Sequence, residues 1–340
     1  MTKKFNIAVL GATGAVGEII CNLLAERKFP IEKIYPLSSE RSAGDIVMYG
    51  NKRLVAINAE EFDWSMADIA IFSAGSEVSK IYVPLATAKG CIVIDNSSAY
   101  RQEPDVPLIV PEINADQIAM FRNRNLIANP NCVTIQMLVA LYPIYQEAGI
   151  ERIDICSYQS VSGTGRKAIT ELVQQTTNLL TGVNIELEVY SKQIAFNCLP
   201  LIGDCEQYGF SSEELKIIHE THKILNDNSI LVNPTTVRVP TLYGHGEAVH
   251  IETVRPISAN KATELLTNAP GVVVIDNPEN HEYPTAFIDA VNNNQVYVGR
   301  IRNHPSDKNL LNMWLVSDNL RKGAALNSIQ IAEILVNKYI

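Results

Sequence analysis

Along its first third the chain alternates short apolar runs with longer stretches in which apolar positions recur every three or four residues. "FNIAVLG" is a mostly apolar run ending at Gly11, and "GEIICNLLAER" puts Ile19, Ile20, Leu23 and Leu24 on one helical face. The first pattern predicts a buried strand and the second an amphipathic helix. "KIYPLSS", "DIAIFSAG" and "CIVIDNSS" repeat the strand pattern, with a helix expected from Ser76 to Lys89 between the last two. Strands apolar on both faces, alternating with helices, predict a parallel sheet covered on both sides.

After residue 130 the texture changes. "VTIQMLVALYPIYQEAG" reads as a long apolar helix that Gly149 ends, followed by an alternating strand, "RIDICSYQSVS", and a helix from about Gly165 to Leu180. Residues 181–210 show little periodicity and suit a lid or a subunit contact. "SSEELKIIHETHKIL" opens with the capping box Ser211-x-x-Glu214. The strand candidates "TTVRVPT", "AVHIETVRP", "GVVVID", "QVYVGRIRN" and "NMWLVSD" then predict an α+β second domain, and one last helix, "DNLRKGAALNSIQIAEILVNKY", returns to the first. The expected fold class is α/β, a Rossmann-type domain over 1–130 with 319–340, and an α+β catalytic and dimerisation domain over 131–318. A length of 340 residues suits two cores better than one.

Composition narrows the function. A net charge of −9 argues against nucleic acid or an anionic membrane as partner, and no apolar run reaches the ~18 residues of a membrane helix. The basic start and apolar centre of "MTKKFNIAVLG" resemble a leader peptide, but the apolar part is short and a strand explains it better. A cytoplasmic location is expected. Six cysteines (21, 91, 132, 156, 198 and 205) with no C-x-x-C pair predict neither a zinc site nor a disulfide frame, so no metal is expected and most should be reduced core residues.

Chemistry enters with "VLGATGAVGE". Gly11, Gly14 and Gly17 fall between a strand and a helix, where turn amides and a helix N-terminus form a site for a pyrophosphate. Downstream of the second strand, "PLSSERSAG" offers Arg41 and Ser42, which suit the 2′-phosphate of NADP, although Glu40 stands beside them. Cys132, preceded by Asn129, Pro130 and Asn131, sits at a helix start, where dipole and unpaired amides favour a thiolate. A thiol nucleophile beside a nicotinamide implies attack on an aldehyde and hydride loss to give a thioester.

Such chemistry needs a base. His219 and His222 read as surface residues of the charged helix, His281 and His304 fall in polar loops, and His250 suits the core of an apolar strand. His245, between Gly244 and Gly246, suits a catalytic loop. Arg238, within a strand, calls for a carboxylate or phosphate partner, from the protein or from a substrate. Arg101 follows the strand-end "IDNSSAY", at the sheet edge where open α/β folds bind ligands.

With these residues in view, the chain resembles the aspartate-semialdehyde dehydrogenases over essentially its whole length. "GATGAVGE", "SSERSAG", "DNSSAYR", "PEIN", "ANPNC", "YQSVSGTG", "EELK", "VRVPT", "GHGEAV" and "DNLRKGAA" occur in the family's order. The resemblance implies a homodimer, Cys132 as nucleophile, His245 as general base and Gln159 as the residue orienting the thioester. It places Arg238 on the substrate carboxylate, Glu213 on its ammonium group, and Arg101, Lys216 and Asn131 on the phosphate. Thr13, Gly14, Ala15, Val16, Arg41, Ser42, Ser162, Gly163 and Asn319 fall at its NADP-binding positions. The implied reaction is reversible NADPH-dependent conversion of aspartyl phosphate to aspartate semialdehyde, toward lysine (through diaminopimelate), methionine and threonine. Glu213 and Lys216, three residues apart on one helix face, suit an amino acid bearing an acyl phosphate. The nearest rival, N-acetyl-glutamyl-phosphate reductase, has no free ammonium for Glu213 to bind. A catalytically silent NADP-binding regulator would have no use for Cys132 and His245.

Overall fold

A computed structural model describes residues 3–340 and divides them into two compact units, one built from the start of the chain through Asn131 with Ala324–Ile340, the other from Cys132–Gly323. Met1 and Thr2, part of the basic start, lie outside the described residues.

The first unit contains β1 (Phe5–Leu10), α1 (Ala15–Glu26), β2 (Ile31–Ser38), β3 (Ile46–Tyr49), β4 (Lys52–Val55), β5 (Ile57–Asn58), β6 (Ile69–Phe72), α2 (Ser76–Thr87), β7 (Ile92–Asp95), α3 (Pro111–Asn114) and β8 (Leu126–Ala128). Six strands form a parallel sheet in the order β5-β2-β1-β6-β7-β8. The order reverses between β1 and β6, so the crevice beyond their carboxyl ends is the ligand position of such sheets. Sequence periodicity missed the β3–β4 hairpin, whose half-exposed strands lack a continuous apolar run, and the three-residue β8. The core gathers Ile7, Val9, Leu23, Leu24, Ile69, Ile71 and Ile94 with Leu326, Ile329 and Leu335 of α8 (Leu326–Lys338). At about 1.5–3 kcal/mol per buried apolar side chain, those three alone hold α8 in place more firmly than helix propensity could.

The expected last helix is two elements. Asp318 Oδ1 accepts from the amides of Leu320 and Arg321 at 2.9 and 3.0 Å, and Arg321–Ala325 wind as a wider turn before α8. The return to the first unit therefore falls at Ala324, where the expected boundary was Asn319.

The second unit comprises α4 (Cys132–Ala148), β9 (Arg152–Gln159), α5 (Arg166–Thr181), α6 (Ser212–Leu225), β10 (Leu231–Arg238), β11 (His245–Glu252), α7 (Ala259–Thr267), β12 (Val272–Val274), β13 (Val296–His304) and β14 (Asp307–Ser317). Its sheet runs β10-β9-β11-β14-β13-β12, parallel within β9–β10 and β12–β13 and antiparallel elsewhere. Helices α4, α6 and α7 pack on it. Helix α4 is apolar nearly all round and buried, as a central helix must be, and Gly149 at φ +70° ends it.

Two histidine expectations fail here. His245 lies in no loop: it opens β11 and is fully buried. His250 is not core, because the buried phase of β11 is 245, 247, 249 and 251, which turns His250 outward to Asn312. His222 is half-buried, its Nε2 at 2.8 Å from the Ile230 carbonyl. The cysteines also differ from expectation. All six are free, only Cys21 and Cys91 are buried, and Cys198 and Cys205 are exposed, because the segment carrying them has no apolar period to bury it.

Candidate active site

Strand register assembles a row of polar side chains across the second sheet. Arg238 pairs with Gln159 across β10–β9, and His245 pairs with Ser317 across β11–β14. All four are buried on one face of the sheet, which also buries Thr236, Ser157 and Glu247 two residues along. Burying polar groups in such a row is costly unless each finds a partner, and two atoms find none: Arg238 Nε and His245 Nε2 have no hydrogen-bond partner among the described residues. Arg238 Nη1 donates to the Ser160 carbonyl at 2.8 Å and reaches Gln159 Oε1 at 3.5 Å, but no carboxylate pairs with it among the described residues. A buried guanidinium without an anion is half of a binding site.

Gly163 opens space beside the Arg238 guanidinium and the His245 ring. A Cβ there would lie 3.0 Å from Arg238 Nη1 and 3.5 Å from His245 Nε2. Burial and then the Arg238 charge push the His245 imidazole down to about 3, against a smaller opposing pull from the Gly244 backbone, so the ring is neutral near pH 7. Its other nitrogen, Nδ1, receives the Ser160 amide at 3.1 Å and has the Ser160 hydroxyl at the same distance. Asn319 Oδ1 in turn accepts from Ser160 Oγ, Ser162 Oγ and the Gly244 amide at 3.3, 3.2 and 3.1 Å. Ser162, Gly163 and Asn319, expected at the cofactor, thus lie in one cluster with His245.

Cys132 is the first residue of α4, directly after the buried Asn131. Gly323 abuts it, since a Cβ at 323 would come within 2.7 Å of the Cys132 Cβ. The turn from Asp318 to Gly323 therefore touches the His245 cluster through Asn319 at one end and Cys132 at the other.

Helix α6 brings the acid and the base. The expected capping box forms: Ser211 Oγ accepts from the Glu214 amide at 3.2 Å, and Glu214 Oε2 accepts from the Ser211 amide at 2.8 Å. The other Glu214 oxygen accepts the Thr236 amide at 2.9 Å, which fastens the helix to β10 two residues before Arg238. Adjacent Glu213 is buried and holds Lys216 Nζ at 3.1 Å.

Three residues of this unit escaped sequence reasoning. Ser160 stood inside the quoted motif "YQSVSG", and Gly323 inside "DNLRKGAA". Glu247 was legible only as an acid in an apolar strand. It is fully buried, neither carboxyl oxygen has a partner among the described residues, and burial pushes it well above the usual carboxylate range.

In the first unit, Gly11 ends β1 at φ +83°, and a Cβ on it would lie 2.5 Å from the Ser73 carbonyl oxygen just past β6. Only glycine fits where the two strand ends approach so closely. Gly17 seats α1 against the Gly11 carbonyl, and Gly14 is the N-cap of α1, with no side chain to occupy the helix end. Thr13, Ala15 and Val16 complete that half-buried turn. Arg41 is exposed, and Ser42 half-buried, in a short turn after β2; Arg41 has no ion pair among the described residues. This loop fits a nucleotide. Arg101 is buried, its Nε and Nη2 donating to the carbonyls of Asn129 and Asn96 at 2.8 Å each. Among the described residues no group of three His, Cys, Asp or Glu side chains could hold a metal, and no helix is long and apolar enough to cross a membrane.

These two folds and the sulfur–imidazole–guanidinium set define a class. Residues 6–121 match the family model "Semialdehyde dehydrogenase, NAD binding domain", and residues 141–322 match "Semialdehyde dehydrogenase, dimerisation domain". The chain is 52% identical to an aspartate-semialdehyde dehydrogenase of a Shewanella species (strain DB6705), over the whole of both chains. It is equally similar, at 52%, to that of Legionella pneumophila, over 100% of this chain and 98% of that protein. A crystal structure of Vibrio cholerae aspartate semialdehyde dehydrogenase II complexed with ASA superposes with a TM-score of 0.97 at 50% identity, over 100% of both chains. A probable aspartate-semialdehyde dehydrogenase from Pseudomonas aeruginosa gives 0.95 at 32% identity, over 99% of this chain and 100% of that one. The chain belongs to the aspartate-semialdehyde dehydrogenase family.

Proposed function

We propose that this chain converts L-aspartyl 4-phosphate to L-aspartate 4-semialdehyde with NADPH, reversibly, through a thioester on Cys132. The observation that carries this reading is that the buried Arg238 guanidinium, which pairs with no carboxylate among the described residues, and the unpartnered His245 Nε2 both border the space Gly163 leaves, in the unit whose central helix Cys132 opens. The Arg238 guanidinium takes the substrate carboxylate, and Glu213 its ammonium group. Cys132 sulfur attacks the acyl carbon, the carbon–oxygen bond to phosphate breaks, and Lys216, Arg101 and Asn131 hold the departing phosphate. Gln159 orients the resulting thioester, and His245 serves its oxygen. When bound, NADPH supplies the hydride. Cleavage of the carbon–sulfur bond then frees the aldehyde and restores the Cys132 thiolate.

NADP is preferred over NAD because Arg41 is exposed and unpaired at the end of β2, where a 2′-phosphate would lie. Arg41→Ala should weaken NADP by about tenfold, the worth of one charge-assisted contact, and leave NAD nearly unchanged. A parallel loss for both would refute the preference. The partner is a second copy of the chain. The outward face of the β11–β14–β13 sheet, with exposed His250 and Arg302 and half-exposed Trp314 around a cleft of about 400 Å³, is the surface it would cover. A biosynthetic reaction on soluble metabolites places the protein in the cytoplasm.

The substrate is tested by phosphate-dependent NADP reduction with aspartate semialdehyde and with N-acetylglutamate semialdehyde side by side. Activity with the first only is expected. Activity with the second only would transfer the reading to N-acetyl-glutamyl-phosphate reduction, and activity with neither would favour a silent NADP-binding protein.

A further inference from the structure

Beside the row that carries Arg238, Gln159 and His245, strand register sets a second row two residues along. Glu247 of β11 stands directly opposite Ser157 of β9, and Ser157 stands beside Thr236 of β10. All three are fully buried. Thr236 is already engaged: its amide and hydroxyl lie 2.9 and 3.5 Å from Glu214 Oε1, and its hydroxyl lies 3.4 Å from Ser211 Oγ. Neither carboxyl oxygen of Glu247 has a partner among the described residues.

Gln159 links the two rows. Its Nε2 donates to Ser157 Oγ at 3.2 Å, and its Oε1 lies 3.5 Å from Arg238 Nη1. The second distance is at the limit of a hydrogen bond, so the serine decides which way the amide points. A hydroxyl both donates and accepts, and its proton can turn. A Ser157 proton turned toward Gln159 would need the amide oxygen, and the flipped amide would set its NH2 against the Arg238 guanidinium, donor to donor. The orientation in the fold therefore requires that the Ser157 proton go elsewhere. Facing residues of an antiparallel pair have Cβ atoms about 4.5–5.5 Å apart, which makes the Glu247 carboxyl the acceptor across from Ser157 that no other group engages. A buried hydroxyl and carboxyl that face each other beyond direct bonding distance are joined by a water with both as partners.

We infer that Glu247 is a positioning residue for Gln159: through one buried water it takes the Ser157 proton, which leaves Ser157 Oγ able only to accept from Gln159 Nε2. This rests on the reading of Gln159 as the residue that orients the thioester. The water accepts from Ser157 and donates to Glu247, and no proton is transferred. The carboxyl need not be charged for the task. Burial pushes it well above the usual carboxylate range, toward the protonated form, and a protonated carboxyl still has a carbonyl oxygen that accepts. Glutamine at 247 would supply the same oxygen, and leucine would not.

The test is a set of full-length variants assayed with aspartate semialdehyde, phosphate and NADP, with urea denaturation beside it. Glu247→Leu should lower kcat by about 10- to 100-fold, the scale of a misplaced side chain at a reacting centre, with KM for the aldehyde nearly unchanged. Glu247→Gln should restore kcat to within about threefold of the wild type. Ser157→Ala should reproduce the loss seen with leucine, and the double variant Ser157→Ala/Glu247→Leu should be no slower than either single one, because both break one path. Full kcat in Glu247→Leu, an equal loss in Glu247→Gln, or losses that multiply in the double variant would each overturn the inference. Should Glu247→Leu not fold, a high-resolution crystal structure of the wild type decides. It must show an ordered water within about 3.2 Å of both Ser157 Oγ and a Glu247 carboxyl oxygen, and a site without one overturns the inference. If the wild type reduces NADP with N-acetylglutamate semialdehyde instead, the substrate reading fails, and the same variants compared on that aldehyde still decide the part played by Glu247.

Discussion

Replacing Arg238 with Met separates a binding role from a structural one, because the two predict opposite pairs of outcomes. In the free protein Arg238 is a buried cation with one strong hydrogen bond, to the Ser160 carbonyl at 2.8 Å, and no carboxylate among the described residues. Losing a hydrogen bond made by a charged group costs about 1.5–3 kcal/mol. Removing an uncompensated buried ion regains several kcal/mol of desolvation. The two nearly cancel, and the second is the larger, so the free protein should be equally stable or more stable. With substrate bound the guanidinium faces a carboxylate, and removing one partner of a buried ion pair costs about 3–5 kcal/mol. That corresponds to a fall in kcat/KM of about 10²- to 10³-fold or more. The assay is phosphate-dependent NADP reduction with aspartate semialdehyde and with 3-aminopropanal, which lacks the carboxylate, alongside urea denaturation of the ligand-free protein. The analogue should lose little further activity in the variant. A large loss of stability, with kcat/KM falling by less than tenfold or equally for both aldehydes, would show that Arg238 braces the β9–β10 edge.

Gly163→Ala should place a methyl group beside the Arg238 guanidinium and the His245 ring, 3.0 Å from Arg238 Nη1 and 3.5 Å from His245 Nε2. It should raise KM for the aldehyde at least about tenfold, the scale of one displaced contact, with unfolding midpoints unchanged; unaltered KM would mean that the substrate lies elsewhere. Glu247→Gln tests pH dependence. Burial raises the Glu247 carboxyl in the folded state, so its contribution to stability is complete below about pH 4.5 and is lost as pH rises toward its folded value. His245, lowered to about 3 from 6.5, works the other way: its contribution is complete above 6.5 and is lost as pH falls toward 3. From about pH 4.5 up to the folded value of Glu247 the wild type should lose up to ~1.4 kcal/mol per pH unit through this group, offset by His245 below pH 6.5. The Gln variant should lack that slope in urea titrations, and identical slopes would mean that Glu247 is ionised in the fold.

The sequence disclosed most of the architecture because its elements follow simple rules. The strands of the first sheet are buried on both faces and so read as apolar runs, and the α6 capping box appeared as written. Elements held by contacts distant in sequence were hidden. The β3–β4 hairpin has little apolar period, and the turn before α8 owes its shape to Asp318, which looks like any helix-start acid. His245 was singled out by its flanking glycines, yet its setting at a buried strand end could not be read from them, nor could the outward phase of His250. Ser160 was passed over because its part is played by a backbone amide, which every residue but proline has. The role of Gly323 depends on a missing Cβ opposite Cys132, a contact across 191 positions (323 less 132).

The central claim is that Cys132 carries the acyl group. Mixing the protein with aspartate semialdehyde and NADP in phosphate-free buffer stalls the reaction at the thioester. The account predicts a burst of about one NADPH per competent subunit, a mass increase confined to the peptide bearing Cys132, and renewed turnover on adding phosphate. A burst that survives Cys132→Ala, or an adduct on the exposed Cys198 or Cys205, would contradict it.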